Sequence, residues 1–215
     1  MISEFDILFS RENFPGNRTP FLLSFMGEGE PFLNFEAVVQ TIEQCFEKRT
    51  EPKLSFAIST AGKNIWKLEQ LAKIALQVPI KLQISLHGPN DEIRKKMVPI
   101  SDPLNAIIAA VTEYQSRCNG KVDWNYVLCK GINDDLALAA LLPQILPSGA
   151  HIKFNRLNPT PQNKHLLVEK ETIDLFRSVV ETGGCTTEYY QTDGSDIYAA
   201  CGQLSYSIGS DKSGY

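Results

Sequence analysis

The sequence lacks the patterns that would place it in a membrane or give it a metal centre of its own. No stretch of its 215 residues approaches the roughly 18 consecutive apolar residues of a membrane span, and Met1–Ser10 has no basic segment typical of a signal peptide. The five cysteines are scattered, without the C-x-x-C or C-x-x-x-C-x-x-C spacing of a metal site. These absences predict a soluble cytoplasmic protein in a reducing compartment, with no metal ligands.

An excess of positive charge is also missing. The formal net charge is −4 and the sequence pI is about 5.5, whereas nucleic-acid binding depends largely on lysine and arginine that neutralise phosphates. An RNA partner would therefore need a local basic patch or another domain. The chain does have 43% hydrophobic residues, enough for one sizeable core. We expect one domain over residues 1–204 and a flexible tail, rich in Ser and Gly, over residues 205–215.

Strand-like apolar runs alternate with helix-like runs along the chain, which is typical of βα units around a parallel sheet. The predicted strands are Phe21–Met26, Leu54–Ser59, Lys81–Leu86, Trp124–Leu128, Ile152–Leu157 and Thr186–Thr192. The predicted helices, from their apolar spacing, are Phe35–Glu47, Ile65–Gln77, Glu92–Met97, Leu104–Arg117, Leu136–Ile145 and Lys170–Glu181. This number of units is too small for an eight-stranded barrel and predicts an open, partial one.

Small polar clusters follow four of the predicted strands, at the point where each strand ends. They are Gly27-Glu28-Gly29-Glu30-Pro31, Ser59-Thr60, Ser85-Leu86-His87 and Asn158-Pro159. The carboxyl ends of parallel strands form the ligand-binding edge of α/β folds. Because polar residues arrive repeatedly at this edge, the pattern suggests one shared site.

Each cluster also has an ordinary structural interpretation. The glycine-rich segment can be a plain turn, the serines can cap the next helix, and Asn158 can begin a common Asn-Pro turn. A lone histidine such as His87 is more often a hydrogen-bonded loop residue than a catalyst, and a free cysteine such as Cys201 is more often buried and inert. The run Arg94-Lys95-Lys96 predicts a solvated helix face, and Asn133-Asp134-Asp135 predicts a helix cap.

Five segments occur in the order and spacing of one family. They are FMGEGEP at Phe25–Pro31, IST at Ile58–Thr60, ISLHGPNDEIRKKMVPI at Ile84–Ile100, LNPTP at Leu157–Pro161 and DIYAACGQL at Asp196–Leu204. Through them, residues 3–204 resemble the radical-SAM RNA adenine methyltransferases of the RlmN/Cfr family, which methylate adenine in 23S rRNA and, for some members, tRNA. The Gly-Glu-Pro motif is shared across many radical-SAM enzymes, whereas SLHGPND and AACGQL are specific to the family.

The resemblance implies an α/β fold, a partial (βα)6 TIM-like radical-SAM barrel that lacks its first strand. It implies that S-adenosylmethionine lies across the carboxyl ends of the strands. By matched position, Gly29 and Glu30 would hold the methionine amino group of this cofactor, Ser59 and Asn158 would contact it, and Ser85, Leu86 and His87 would line its adenosyl side.

The same resemblance implies that Cys201 is the catalytic residue, a methyl carrier. In the family, one S-adenosylmethionine methylates this cysteine by polar transfer, and a second is cleaved reductively at a 4Fe-4S cluster to give a radical that takes hydrogen from the methyl group. The sulfur-bound methylene radical then adds to adenine. A soft, accessible sulfur at the ligand edge suits this chemistry.

The chain departs from the family at two places. The family binds its cluster through C-x-x-x-C-x-x-C in the loop after the first barrel strand and resolves its product with a cysteine before that motif. Neither element is in this sequence, so the cluster has no ligands here. The segment Gln191-Thr192-Asp193-Gly194 has an acid where relatives carry arginine, and an acid would repel RNA phosphate.

Three hypotheses account for these features. The leading hypothesis is that the chain is part of an RNA adenine-C2 methyltransferase and is inactive alone. Its N-terminal segment would be missing through truncation or a misplaced start codon, or a split partner would supply it. The second is a degenerate S-adenosylmethionine-binding or regulatory module without radical chemistry. The third retains only polar methyl transfer to Cys201. The choices between 23S rRNA and tRNA, and between carbons C2 and C8 of adenine, stay open.

Overall fold

Six parallel strands form one sheet whose spatial order is the same as the order of the strands in the chain. The computed structural model describes residues 20–27, 29–48 and 54–190. Its strands are β1 Phe21–Phe25, β2 Leu54–Thr60, β3 Ile80–Ser85, β4 Lys121–Val127, β5 His151–Asn155 and β6 Thr186–Tyr190. Every neighbouring pair is parallel, which confirms the predicted α/β class.

At least one helix follows each strand from β1 to β5. The helices are α1 Phe35–Lys48, α2 Leu68–Ala75, α3 Asp91–Met97, α4 Leu104–Cys118, α5 Leu136–Ile145 and α6 Lys170–Thr182, with short 3-10 helices at Pro31–Asn34, Ile65–Lys67 and Lys164–Leu166. Helices α2 and α4 contact each other, as do α5 and α6. In the described part of the chain, no helix combines the length and the apolar character needed to span a membrane.

The core lies between the helices and one face of the sheet. Because side chains alternate along a strand, every second residue of β4 points into this core, and Trp124 and Tyr126 are almost fully buried there. The Tyr126 ring lies 5.6 Å from the ring of Phe154 and 5.5 Å from that of Phe176, centroid to centroid. These three rings join β4, β5 and α6, so helix packing and strand pairing fix each other.

The opposite face of the sheet carries a row of charged side chains from β3 to β6. The Lys81 ammonium lies 2.8 Å from the buried Asp123 carboxylate, and the Lys153 ammonium lies 4.0 Å from the same carboxylate. Lys153 also lies 3.8 Å from the Glu188 carboxylate. Charges of opposite sign therefore alternate from strand to strand, which lets this face hold polar groups without an uncompensated charge.

The structure and the sequence-based prediction differ mainly at the ends of elements. Strand β4 begins at Lys121 rather than at Trp124, because Lys121 and Asp123 alternate with buried residues and so continue the strand. The helix predicted over Ile65–Gln77 is divided into a 3-10 turn and α2.

Several predictions concern residues outside the described part of the chain. They include Met1–Ser10, Cys201, Asp193 and the tail 205–215. The domain boundaries and the additional strand before β1 also stay predictions. Six strands lie within the described residues.

Candidate functional site

Glu30 joins the carboxyl end of β1 to that of β2. Its side chain is buried, and its Oε1 accepts hydrogen bonds from the Thr60 hydroxyl at 2.5 Å and from the Phe32 amide at 3.1 Å. Its Oε2 accepts a hydrogen bond from the Ala61 amide at 2.7 Å. Gly29, at φ +99°, gives the chain the left-handed turn that brings Glu30 back over the strand ends. The carboxylate therefore stands at the predicted ligand edge, held by three donors.

Arg94 joins the ends of β2 and β3, and its position corrects the prediction of a solvated helix face. Its guanidinium is buried and donates from Nη1 to the carbonyls of Ser85 at 2.7 Å and Leu86 at 2.5 Å. Nη2 donates to the Ala61 carbonyl at 3.2 Å. Only Lys95 and Lys96 are exposed as predicted, because the helical period turns the Arg94 side of α3 toward the strand ends.

Burial lowers the pKa of the Arg94 guanidinium to about 10, and the nearby Asp91 carboxylate partly opposes this shift. Even so, the group is a full cation at neutral pH. Its three carbonyl partners supply the negative ends of dipoles that compensate for the lost water.

His87 joins the end of β3 to that of β4. It has a left-handed backbone conformation, φ +51°, and its Nδ1 accepts a hydrogen bond from the Val127 amide at 3.0 Å. Burial, and secondarily the positive charge of Arg94, lowers the pKa of the imidazole to about 4. His87 is therefore neutral at physiological pH.

Asn133 is a buried residue that sequence reasoning treated as part of a helix cap. The cap of α5 is instead Asp135, whose carboxylate accepts from the Ala137 amide at 2.8 Å. The Asn133 amide nitrogen donates to the carbonyls of His87 and Val127, both at 2.9 Å, and its oxygen accepts from the Cys129 amide at 2.6 Å. Three consecutive polar residues look alike as caps, so nothing local in the sequence singles out Asn133.

The remaining predicted ligand residues lie at the same edge with different surroundings. Ser59 and Ser85 are half-buried at the ends of β2 and β3, whereas the Leu86 side chain is fully buried in the core. Any contact from Leu86 would have to come from its backbone, whose amide already donates to Asn125. Asn158 is buried in the loop after β5, and its backbone carbonyl accepts a hydrogen bond from the side-chain amide of Asn163 at 3.1 Å.

The edge thus brings together the residues predicted on β1, β2 and β3, with Asn158 two strands further along the sheet. The roles assigned to Gly29, Glu30, Ser59, Ser85, Leu86, His87 and Asn158 stay predictions. Within the described ranges, no group of three or more His, Cys, Asp or Glu residues could hold a metal ion.

Replacing Arg94 by methionine should strongly destabilise the protein. The Arg94→Met variant leaves three carbonyls without their charged donor, and we expect a loss of about 3–5 kcal/mol in the free energy of unfolding. The exposed neighbour on the same helix provides the control, because Lys95→Met should change stability by less than about 0.5 kcal/mol. Urea denaturation followed by circular dichroism measures both. Equal effects of the two substitutions would contradict a role for Arg94 in joining the strands.

The low pKa of His87 predicts a loss of stability in mild acid. The unfolded state takes up a proton near pH 6.5 and the folded state only near pH 4, so unfolding gains protons as the pH falls through this window. We expect His87 to contribute about 1 to 2 kcal/mol of destabilisation between pH 7 and pH 5. Urea denaturation at both pH values should show a smaller difference for His87→Asn. The control His165→Asn removes an exposed histidine and should behave like the parent protein. An unchanged pH dependence in His87→Asn would refute the assignment.

Comparisons with known proteins show what the chain is similar to. No family model matches the chain. It is 34% identical over 184 residues to the probable dual-specificity RNA methyltransferase RlmN of Lachnospira eligens, an alignment that covers 83% of this chain and 52% of that protein. The crystal structure of a radical SAM methyltransferase from Sphaerobacter thermophilus superposes with a TM-score of 0.76 at 32% identity, covering 84% of this chain and 53% of the other.

A more distant structure supports the fold alone. A domain of pyruvate-formate lyase-activating enzyme from Bacteroides vulgatus superposes with a TM-score of 0.61 at 14% identity, covering 78% of this chain and 98% of that domain. The chain spans about half the length of the RlmN relatives that it matches. Over that shared segment the chain is homologous to RlmN-type proteins, and its fold matches that of a radical SAM methyltransferase.

Proposed function

We propose that this chain binds S-adenosylmethionine across the carboxyl ends of its strands and carries a methyl group on Cys201 for transfer to an RNA adenine. The observation that supports this most directly is the position of Glu30, a buried carboxylate at the end of β1, beside Ser59 and the Ser85–His87 segment on the next two strands. Relatives named RNA methyltransferases support the reaction class.

The groups at this edge suit a positively charged nucleoside ligand. When bound, S-adenosylmethionine supplies an electrophilic methyl group on a sulfonium. Glu30 provides a negative charge near an ammonium or sulfonium, and His87 adds no opposing positive charge because it is neutral. The hydroxyls of Ser59 and Ser85 are half-buried and can donate to, or accept from, polar atoms of the ligand.

The described cysteines do not fit a 4Fe-4S cluster. Cys45, Cys129 and Cys185 are buried in separate elements, and Cys118 donates to the carbonyl of Tyr114. Burial raises the pKa of the Cys129 thiol to about 11, which disfavours the thiolate that iron requires. We therefore propose that a cluster, where one is used, takes its ligands from a separate segment or a split partner polypeptide.

We propose 23S rRNA or tRNA as the macromolecular substrate and the cytoplasm as the compartment. The net charge of −4 gives little attraction for phosphate. RNA affinity therefore depends on a local basic patch or on another domain. The four free cysteines of the described ranges are consistent with a reducing compartment.

The acidic balance favours one alternative, a binding or regulatory module without radical chemistry. Such a module would bind S-adenosylmethionine with ordinary micromolar affinity and show no association with RNA. The methyltransferase proposal instead expects weak cofactor binding, because part of the site would come from another segment.

Cofactor binding provides the first test. We expect the full chain to bind S-adenosylmethionine with a Kd on the order of 100 µM, and Glu30→Gln to weaken it about tenfold by removing the negative charge. Saturation-transfer NMR and calorimetry measure these affinities. The control Glu92→Gln removes an exposed carboxylate of α3 and should leave the Kd unchanged. Absence of binding to the folded parent chain, or an equal effect of both substitutions, would refute the proposed site.

Methylation of Cys201 provides the second test. In the polar step a carbon–sulfur bond forms to Cys201, the sulfonium carbon–sulfur bond breaks, S-adenosylhomocysteine leaves and the thiol proton passes to solvent. The hypothesis of polar methyl transfer alone expects peptide mass spectrometry, after incubation with S-adenosylmethionine, to find one added methyl group on Cys201, whereas a chain that is inactive alone would leave this cysteine unmodified. The modification should be absent in Cys201→Ala and retained in Cys118→Ala. An unmodified Cys201 in a chain that binds the cofactor would exclude autonomous methyl transfer.

A further inference from the structure

The backbone of the Ser85–His87 segment is almost fully engaged within the protein. The amides of Leu86 and His87 both reach the Asn125 carbonyl, at 2.9 and 3.4 Å. The carbonyls of Ser85 and Leu86 accept from Arg94, and the His87 carbonyl accepts from Asn133. Since the Leu86 side chain is in the core, the groups that this segment can offer a ligand are the Ser85 hydroxyl and the His87 ring.

The hydrogen bond from Val127 determines which nitrogen of that ring carries the proton. A backbone amide only donates, so Nδ1 must be the unprotonated acceptor in the 3.0 Å contact. The proton of the neutral ring is then on Nε2. Nε2 makes no hydrogen bond within the described part of the chain, and the residue is half-buried. His87 thus has a free N–H donor at the end of β3, on the predicted ligand edge.

The Asn133 amide joins the same two residues that make the ring contact. Its nitrogen donates to the backbone carbonyls of both His87 and Val127. We call these two hydrogen bonds the clamp, because they hold two backbone segments together next to the bond from the Val127 amide to the His87 ring. The orientation of the amide is determined, because its oxygen must face the Cys129 donor. The Tyr126 hydroxyl donates to the backbone carbonyl of Asn133 at 3.1 Å and makes no bond with the side-chain amide.

The clamp also compensates for an unfavourable backbone. His87 has φ +51°, a left-handed conformation that costs roughly 1–2 kcal/mol for a residue with a Cβ atom. The Asn133 side chain is fully buried, and its two hydrogen bonds to backbone carbonyls are strong enough to offset this conformational cost. Without them, His87 would be free to return to ordinary backbone angles, and its ring would leave Val127.

We infer that Asn133 is a positioning residue that fixes His87 in a single neutral tautomer, whose Nε2–H donates to an acceptor atom of the bound nucleoside cofactor. The acceptor is a ring nitrogen or a hydroxyl oxygen. This inference rests on the proposed function for its ligand, but the state of the ring is a property of the protein alone. The low pKa of His87 agrees with it, and a neutral donor avoids adding positive charge beside Arg94 and a sulfonium.

The state of the ring can be measured without any ligand. In long-range 1H–15N spectra of the labelled full chain at pH 7, we expect His87 to show an unprotonated Nδ1 and a protonated Nε2. His87→Gln identifies the signals, and His151 and His165 provide internal comparison. A protonated Nδ1, a mixture of tautomers, or a charged ring at pH 7 would overturn the inference.

Substitution of Asn133 tests the clamp. Asn133→Asp keeps the shape and the acceptor for Cys129 but cannot donate to the two carbonyls, so we expect mixed tautomers at His87 and about tenfold weaker S-adenosylmethionine binding. Tyr126→Phe is the matched control: it removes a buried hydrogen bond to Asn133 without altering the amide, and should leave the tautomer unchanged and the Kd within about twofold. Equal effects of the two variants would assign Asn133 a merely structural role and overturn the inference.

Variants of His87 test the donor itself. His87→Gln places an amide N–H near the position of Nε2 and should retain binding within about threefold, whereas His87→Phe should lose about tenfold. Equal binding by both variants would contradict donation from Nε2. If Asn133→Asp does not fold, the spectrum of the parent protein still tests the tautomer, and the two His87 variants still test the donor. A single tautomer in a chain that binds no S-adenosylmethionine would refute the proposed function and the ligand half of this inference, while confirming the protein half.

Discussion

Two buried charges of opposite sign, Glu30 and Arg94, form hydrogen bonds with the backbone of the same residue, Ala61. The Ala61 amide donates to the Glu30 carboxylate, and the Ala61 carbonyl accepts from the Arg94 guanidinium. Hydrogen bonds to charged groups contribute about 1.5–3 kcal/mol each, more than neutral ones. Since Glu30 follows β1 and Arg94 also holds the end of β3, the ends of three strands depend on this arrangement. Asn133 and His87 extend it to β4.

These connections lie at the same strand ends as the predicted cofactor residues. The bonds that set the geometry of these strand ends are therefore made within the described part of the chain. The chain spans about half of each RlmN relative yet superposes well on a radical SAM methyltransferase.

The sequence predicted the six strands because parallel strands covered by helices are continuous apolar runs, and it predicted the helices from their period. It predicted a ligand edge because polar residues follow those runs, and it predicted the cap that Asp135 makes. It was wrong about Arg94, whose neighbour Lys95 is exposed as predicted, and it did not anticipate the buried contacts of Asn133. Whether a polar side chain points to solvent or joins two strand ends is decided by contacts distant in sequence, and a local pattern does not contain them. Leu86 shows the reverse case, a residue inside a ligand motif that belongs to the core.

The order of the strands in the sheet has a consequence for how the protein folds. Because each strand pairs with the next one along the chain, every addition to the sheet closes a loop of one βα unit and no strand has to insert between two others. Such a topology keeps contacts local for a parallel sheet, so the molecule can grow by successive docking as it leaves the ribosome. The bonds at the strand ends form only after neighbouring units have docked. The hydrogen bonds that join the strand ends are thus among the last contacts to form.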